Sequence, residues 1–388
     1  MPATRSSRNV LGGFSRYRPI GRSVAPTGHY PVLIASKPAS NPRSRSSAPS
    51  SARSAVVVGL DVGGTKTNAT VLDESGVFLI DRMVETPSRV GDGPDAALEA
   101  IREVLQLVLH AAGASAEAVR AIGLDTPGPA TATGVIAKRG ATNFSQPAWW
   151  GFDFRTMVER DLGLPVIYNN DGNAAALYAH DQLFGADADH RSSVSAIVGT
   201  GLGGGVIESG RVIRGATGMA GELGHVQIPM HGLLGDGQPA PICNCGFVGD
   251  AESVASLSGL ERNLLPYWLT KYPEHPVAAL PSKEAARQIR SCAEAGDEMA
   301  LKIFEQQAIA IGRLFTIAAN FTDPDAYFVG GGVIEAEPHF RTWFLDSVRD
   351  ATTLRVEQIE VVQFALVSDL DMAGARGSAL AALHAIRP

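Results

Sequence analysis

The sequence predicts an α/β protein of two similar domains with a cleft between them, and three observations carry that expectation. A strand, a glycine-rich turn and a second strand can be drawn over residues 55–73 and again over residues 193–210, about 140 residues later. The chain is 388 residues long, whereas single cores seldom grow past about 250–300 residues. A long apolar helix, roughly Glu298–Phe321, then leads into a further strand and a third glycine cluster. Hydrophobic residues make up 45% of the chain and charged residues 19%, the balance of a soluble globular enzyme. No apolar run approaches the roughly 18–20 residues that span a bilayer, so no membrane partner is expected.

Residues 1–54 stand apart from this body. They carry nine Lys and Arg and no Asp or Glu; removing that +9 from the net −7 leaves −16 on residues 55–388. So acidic a body is a poor general nucleic-acid binder. The segment is rich in Ser, Arg and Pro and lacks periodicity at 2 or 3.6 residues, which predicts a disordered basic tail. Its acid-free composition also suits an organelle transit peptide. A plain tail, a start codon called upstream of the true one and an interaction arm are the other readings. No pair of amphipathic helices for a helix-turn-helix can be drawn here. Cys243, Cys245 and Cys292 form a sparse, odd set, which argues for a reducing compartment, hence the cytoplasm unless the tail targets an organelle.

Order is predicted to begin at Ala55. Residues 55–60 read as a buried strand, Asp61-Val62-Gly63-Gly64-Thr65-Lys66-Thr67 as a turn, and Asn68–Asp73 as an alternating second strand. The second cassette runs Ser193–Val198, Gly199-Thr200-Gly201-Leu202-Gly203-Gly204-Gly205, then Val206-Ile207. Glycines let a backbone come close to phosphate and aim successive N–H groups at it. Asp61, at a strand end beside such a turn, can hold Mg²⁺ directly or through water. A Walker A loop is excluded, because Thr65 and not Lys follows Gly64 and a strand follows the turn. Gly199–Gly204 match G-x-G-x-x-G literally, but a dinucleotide site needs a helix next and the residues that follow read as a hairpin. In the third cluster, Gly331 and Gly332 follow a strand and can floor an adenine or ribose site.

Asn169-Asn170-Asp171-Gly172-Asn173 lies between a strand and an Ala-rich helix, the usual place for ligands in an open α/β sheet. A carboxylate there can take a hydroxyl proton during phosphoryl transfer, which makes Asp171 the candidate base. Helix capping by Asp171 or Asn173 is compatible with that role. Further on, His225, Cys243, Cys245 and Asp250 offer four zinc ligands for a closed structural site, able to orient Glu222 and Glu252 toward hydroxyls. Unmetallated thiols are the other reading.

Taken together, Asp61–Lys66, Asn170–Asn173, Gly199–Gly205, Glu222-Leu223-Gly224-His225 and the run from Cys243 to Glu252 resemble the ROK family of sugar kinases and regulators over nearly all of residues 55–388. The resemblance implies two actin-like ATPase (ribonuclease H-like) domains: residues 55–170 plus a C-terminal helix 373–388, and residues 171–372. It implies ATP and Mg²⁺, with Asp61, Gly63, Gly64, Thr65, Lys66, Thr200, Gly201, Gly204, Gly331 and Gly332 at the nucleotide. It implies a hexose, glucose first, held by Gly128, Asn143, Asn170, Asp171, Glu222, His225 and Glu252, and a homodimer. The family's zinc run carries a third Cys where this chain has Asp250. The insert Leu264–Lys283 is expected to cover the cleft or build a dimer face. A non-catalytic sugar-sensing regulator and a nucleotide-dependent oxidoreductase are the alternatives; intact Asp61 and Asp171 and the absent helix-turn-helix favour the kinase.

Overall fold

The computed structural model describes residues 33–34 and 55–387, apart from Pro129 and residues 139–141. The tail expected to be disordered over 1–54 lies outside the described residues, except that Leu33–Ile34 forms a short strand, β1. Pro129, beside Gly128, and Ala141, near Asn143, also lie outside them.

The first half is built on β2 (Val56–Val62), β3 (Lys66–Asp73) and β4 (Val84–Pro87), an antiparallel meander. Helix α1 (Pro94–Ala112) starts with Pro at its first position, where a missing N–H costs nothing. It buries Ala97, Ile101, Val104 and Val108 along one face and crosses to β5 (Val119–Thr126). Helix α2 (Phe154–Leu162), capped by the Asp153 side chain, leads to β6 (Val166–Asn170). Both β5 and β6 run parallel to β2, giving the order β4-β3-β2-β5-β6. Helix α3 (Asp171–Phe184) closes the half.

The second half repeats this plan. It comprises β7 (Ser193–Val198), β8 (Leu202–Glu208) and β9 (Arg211–Val212), a helix Glu298–Thr322, β10 (Ala326–Gly331), a helix Pro338–Ala351, β11 (Gln363–Leu366) and a C-terminal helix Leu370–Ile386. Its sheet order, β9-β8-β7-β10-β11, matches the first place for place, with β1 added beside β11. The segment after Gly204 is the strand β8, paired antiparallel with β7, and not a helix, so the oxidoreductase alternative falls.

The helix ending each half packs on the sheet of the other. The C-terminal helix lies on β2 and β5, while α3 lies on β8, and the two helices pack together between the sheets. Gly59 and Gly123 face each other in β2 and β5 under the C-terminal helix. A Cβ on either would overlap the helix carbonyls of Ala375 and Ser378, so bare backbone lets the helix lie close. Two aromatic residues of the insert Leu264–Lys283 bond the long helix. Trp268 Nε1 donates to Gln306 at 2.8 Å and Tyr272 OH to Glu298 at 3.0 Å. No helix among the described residues is long and apolar enough to cross a membrane.

Candidate active site

In β2, alternation sends Val58, Leu60 and Val62 to the outer core and Val57, Gly59 and Asp61 toward the C-terminal helix. Register then sets Asn68, Asp61, Asp125 and Asn169 side by side across β3, β2, β5 and β6. Asn68 Nδ2 donates to Asp61 at 3.1 Å. Asp125 is fully buried; its Oδ2 accepts from the Ser378 hydroxyl at 2.8 Å, and its Oδ1 has no hydrogen-bond partner. Burial, and then the Asp61 charge, push the Asp125 carboxyl well above the usual range. Burial raises Asp61 as well, opposed by Asn68. Of the pair, Asp125 is raised the further.

Sequence reasoning missed Asp125, although a signal was present. Gly59-Leu60-Asp61 returns as Gly123-Leu124-Asp125, and the two triplets pair residue for residue in adjacent strands. Asp61, half-buried at the cleft end of this row, fits a hard cation that takes one or two carboxylates and keeps its waters.

Asp171 is the first residue of α3, immediately after β6. The cap is Asn170, whose Oδ1 accepts from Asn173 N at 2.7 Å, and not Asp171 or Asn173. Asp171 therefore keeps its carboxylate for the cleft, with Oδ1 accepting only from the adjacent Gly172 N at 2.7 Å. The side chain opens into the cleft and touches solvent there, yet protein crowds it closely enough that burial lifts its carboxyl to about 6. Asp61 and Glu222 add to the shift, against the Gly172 N–H. Glu222 in turn accepts from Asn170 Nδ2 at 3.2 Å, which ties the end of β6 to the second half.

The two glycine turns approach the cleft from opposite sheets. Gly63 N closes the first by donating to Lys66 O at 2.9 Å, and a Cβ on Gly64 would lie 2.8 Å from Asn143 Oδ1. The structure thus brings Asn143, expected at the sugar, beside the first turn. Gly199 N closes the second on Gly201 O at 2.9 Å, with Thr200 exposed. Gly331 pairs with Val198, so the third glycine cluster lies beside this turn. The carbonyl of Gly332 is taken by Arg290 at 2.6 Å. Gly128 is exposed at the start of the loop after β5.

Two expected nucleotide residues lie elsewhere. Gly204 is buried within β8, where a Cβ would overlap the Ser195 carbonyl; it packs against Gly172 and reaches no turn. Lys66 points outward on β3 and is held by Glu85 of β4 at 2.7 Å.

His225, Cys243, Cys245 and Asp250 converge, their ligand atoms all within 4.8 Å of one another. His225 Nδ1 is 3.2 Å from Asp250 Oδ2 and 3.6 and 3.8 Å from the two sulfurs, and Cys245 Sγ is 3.8 Å from Asp250 Oδ2. Bonds of about 2.0–2.3 Å in a tetrahedron imply ligand–ligand edges of about 3.3–3.8 Å. The four donors therefore fit zinc in kind and in spacing. Glu252 ties this cluster to the second glycine turn: Cys243 Sγ donates to its Oε1 at 3.2 Å and Leu202 N to its Oε2 at 2.9 Å.

A model of the ROK family matches residues 57–385. A glucokinase of Halalkalibacterium halodurans is 32% identical over 311 residues, 77% of this chain and 89% of that protein. An N-acetyl-D-glucosamine kinase of Pasteurella multocida is 32% identical over 333 residues, 83% of this chain and 97% of that protein. Among solved structures, a ROK family glucokinase from Streptomyces griseus in complex with glucose and AMPPNP superposes with a TM-score of 0.60 at 27% identity, covering 85% of this chain and 99% of its own. The paired sheets described above are the two actin-like ATPase domains of that fold.

Proposed function

The chain belongs to the ROK family and is a sugar kinase, and from that premise we propose that it transfers the γ-phosphoryl group of ATP to the primary hydroxyl of a hexose, with glucose as first substrate and Asp171 as general base. The observation that carries this reading is the Asp171 carboxyl, free to face the cleft and raised to about 6 between Asp61 and Glu222. A base whose pKa lies near the working pH combines the right protonation state with driving force for proton transfer.

Asp171 takes the proton from the sugar hydroxyl as that oxygen attacks the γ-phosphorus and ADP leaves. Magnesium held at Asp61 would neutralise the charge on the transferring phosphates. The backbone N–H groups of Gly64, Thr65, Thr200 and Gly201 cradle those phosphates, and most of the acceleration comes from positioning and electrostatic stabilisation. Asn170 and Glu222 bind the sugar ring, the Glu222 carboxylate accepting from its hydroxyls. His225 commits Nδ1 to the zinc set and leaves Nε2 for a sugar hydroxyl. Glu252, held at Oε2 by Leu202 N, joins the sugar loop to the second phosphate turn and, with Cys243 bound to zinc as thiolate, has Oε1 for a sugar hydroxyl. A structural zinc at His225, Cys243, Cys245 and Asp250 would hold that loop. A glucose-bound relative and a curated glucokinase support glucose; a curated N-acetylglucosamine kinase of equal identity names the rival.

A hexose panel assayed for ADP release, with metal content measured on the same sample, tests this reading. Glucose should show the highest kcat/KM and each chain about one zinc. Saturable glucose binding without ADP release would instead make the protein a sensor, and preference for an N-acetylhexosamine would overturn the choice of sugar.

A further inference from the structure

A second cavity, of about 460 Å³, is lined by none of the residues placed at the candidate active site. Its walls come from both halves. The first contributes the free edge of β6 (Val166–Tyr168), Thr133 and Arg155; the second contributes Arg211, Val212 and Arg214 from β9 and the chain after it. Leu177 of α3 and Ala381 and His384 of the C-terminal helix form the floor between them. Gly374 of that helix adjoins Asp61, and His384 lies ten residues further along, about 15 Å at the helical rise.

The charge in this cavity is one-sided. Four of its lining residues are Arg or His, and none is Asp or Glu. Arg155 is already neutralised by Glu159 at 2.5 Å. Arg214 is half-buried, and its side chain has a single partner among the described residues, the neutral amide oxygen of Asn169 at 3.0 Å. A guanidinium carries five N–H donors, so most of this one's capacity is unused. Burial accordingly holds it below its ordinary value with no carboxylate to offset the cost. Arg211, at the rim, stands opposite Glu208 in the hairpin, but Glu208 accepts from Ser192 at 3.0 Å and makes no ion pair with it. Burial lowers the His384 imidazole below its ordinary value, with Asp189 4.0 Å away outside the lining.

We propose that this cavity is a binding site for a small phosphate-bearing anion, held by Arg214 and Arg211 with its body against Leu177, Val212 and Ala381. Planar guanidinium forks match phosphate oxygens two at a time. The cavity's volume suits a small organic ligand. Both guanidinium groups come from the second half, and Arg214 already reaches Asn169 at the end of β6, so a bound anion sits at the seam between the halves. The site rests on these contacts alone and does not require the phosphoryl-transfer reading.

Calorimetric titration of the full chain with inorganic phosphate and with glucose 6-phosphate tests it, beside Arg211→Glu, Arg214→Gln and Asp171→Asn. Arg211 is exposed, so its substitution leaves the fold intact even where Arg214→Gln does not. Wild type and Asp171→Asn should bind phosphate saturably, and both arginine substitutions should weaken binding at least tenfold. Tighter binding of glucose 6-phosphate, lost in the same variants, identifies a phosphomonoester; equal binding identifies the free ion, and either upholds the site. Absence of saturable binding in the wild type, or binding unchanged by Arg211→Glu, overturns it.

Discussion

Asp171 stands at the first position of a helix, where the aligned peptide dipoles and the Gly172 N–H favour a charged carboxylate. Burial among protein atoms, with Asp61 and Glu222 nearby, outweighs them and lifts its carboxyl to about 6. As a base the group must be deprotonated, so kcat/KM should rise with pH through about 6 and level off above it. A rate profile flat from pH 5 to 8 would contradict the assignment. Asp171 was legible in the sequence because the strand–loop–helix junction around it is local. Asp125 was not singled out, because its meaning depends on strand register with Asp61 and on Ser378, 253 residues away. Lys66 misled for the same reason: its partner Glu85 lies on the next strand. The literal G-x-G-x-x-G match drew Gly204 into the phosphate set, whereas it serves to let Gly172 of α3 approach β8.

At the scale of elements, the strands and the long helix followed from period and punctuation, and the helix runs Glu298–Thr322 against an expected end at Phe321. The path of the last helix did not follow from periodicity; only the family resemblance implied that it returns to the first sheet. What lets it lie there is the facing pair Gly59 and Gly123. Gly123→Val should therefore force the C-terminal helix off β5 and lower unfolding free energy by about 3 kcal/mol, the upper end of ordinary overpacking costs. Urea denaturation checks this; a loss under 1 kcal/mol would mean that the helix can shift without penalty.

At the scale of the molecule, two halves with one strand order are joined by exchanged helices, and the candidate site residues gather where the parallel strands of both end. The duplication was visible as two glycine turns, but the coupling between halves was not. Asn170 with Glu222 joins the halves across 52 residues, and Glu252 with Leu202 joins the sugar loop to the second turn across 50. These contacts tie the candidate base, the second glycine turn and the loop of the candidate zinc ligands into one network. The most direct measurement is single-turnover transfer from ATP to glucose by Asp171→Asn, with glucose affinity measured on the same preparation. Glucose affinity should stay within about threefold of wild type while the transfer rate falls at least about a hundredfold, the usual scale for removing a general base. Transfer at a near-wild-type rate would show that another group takes the proton.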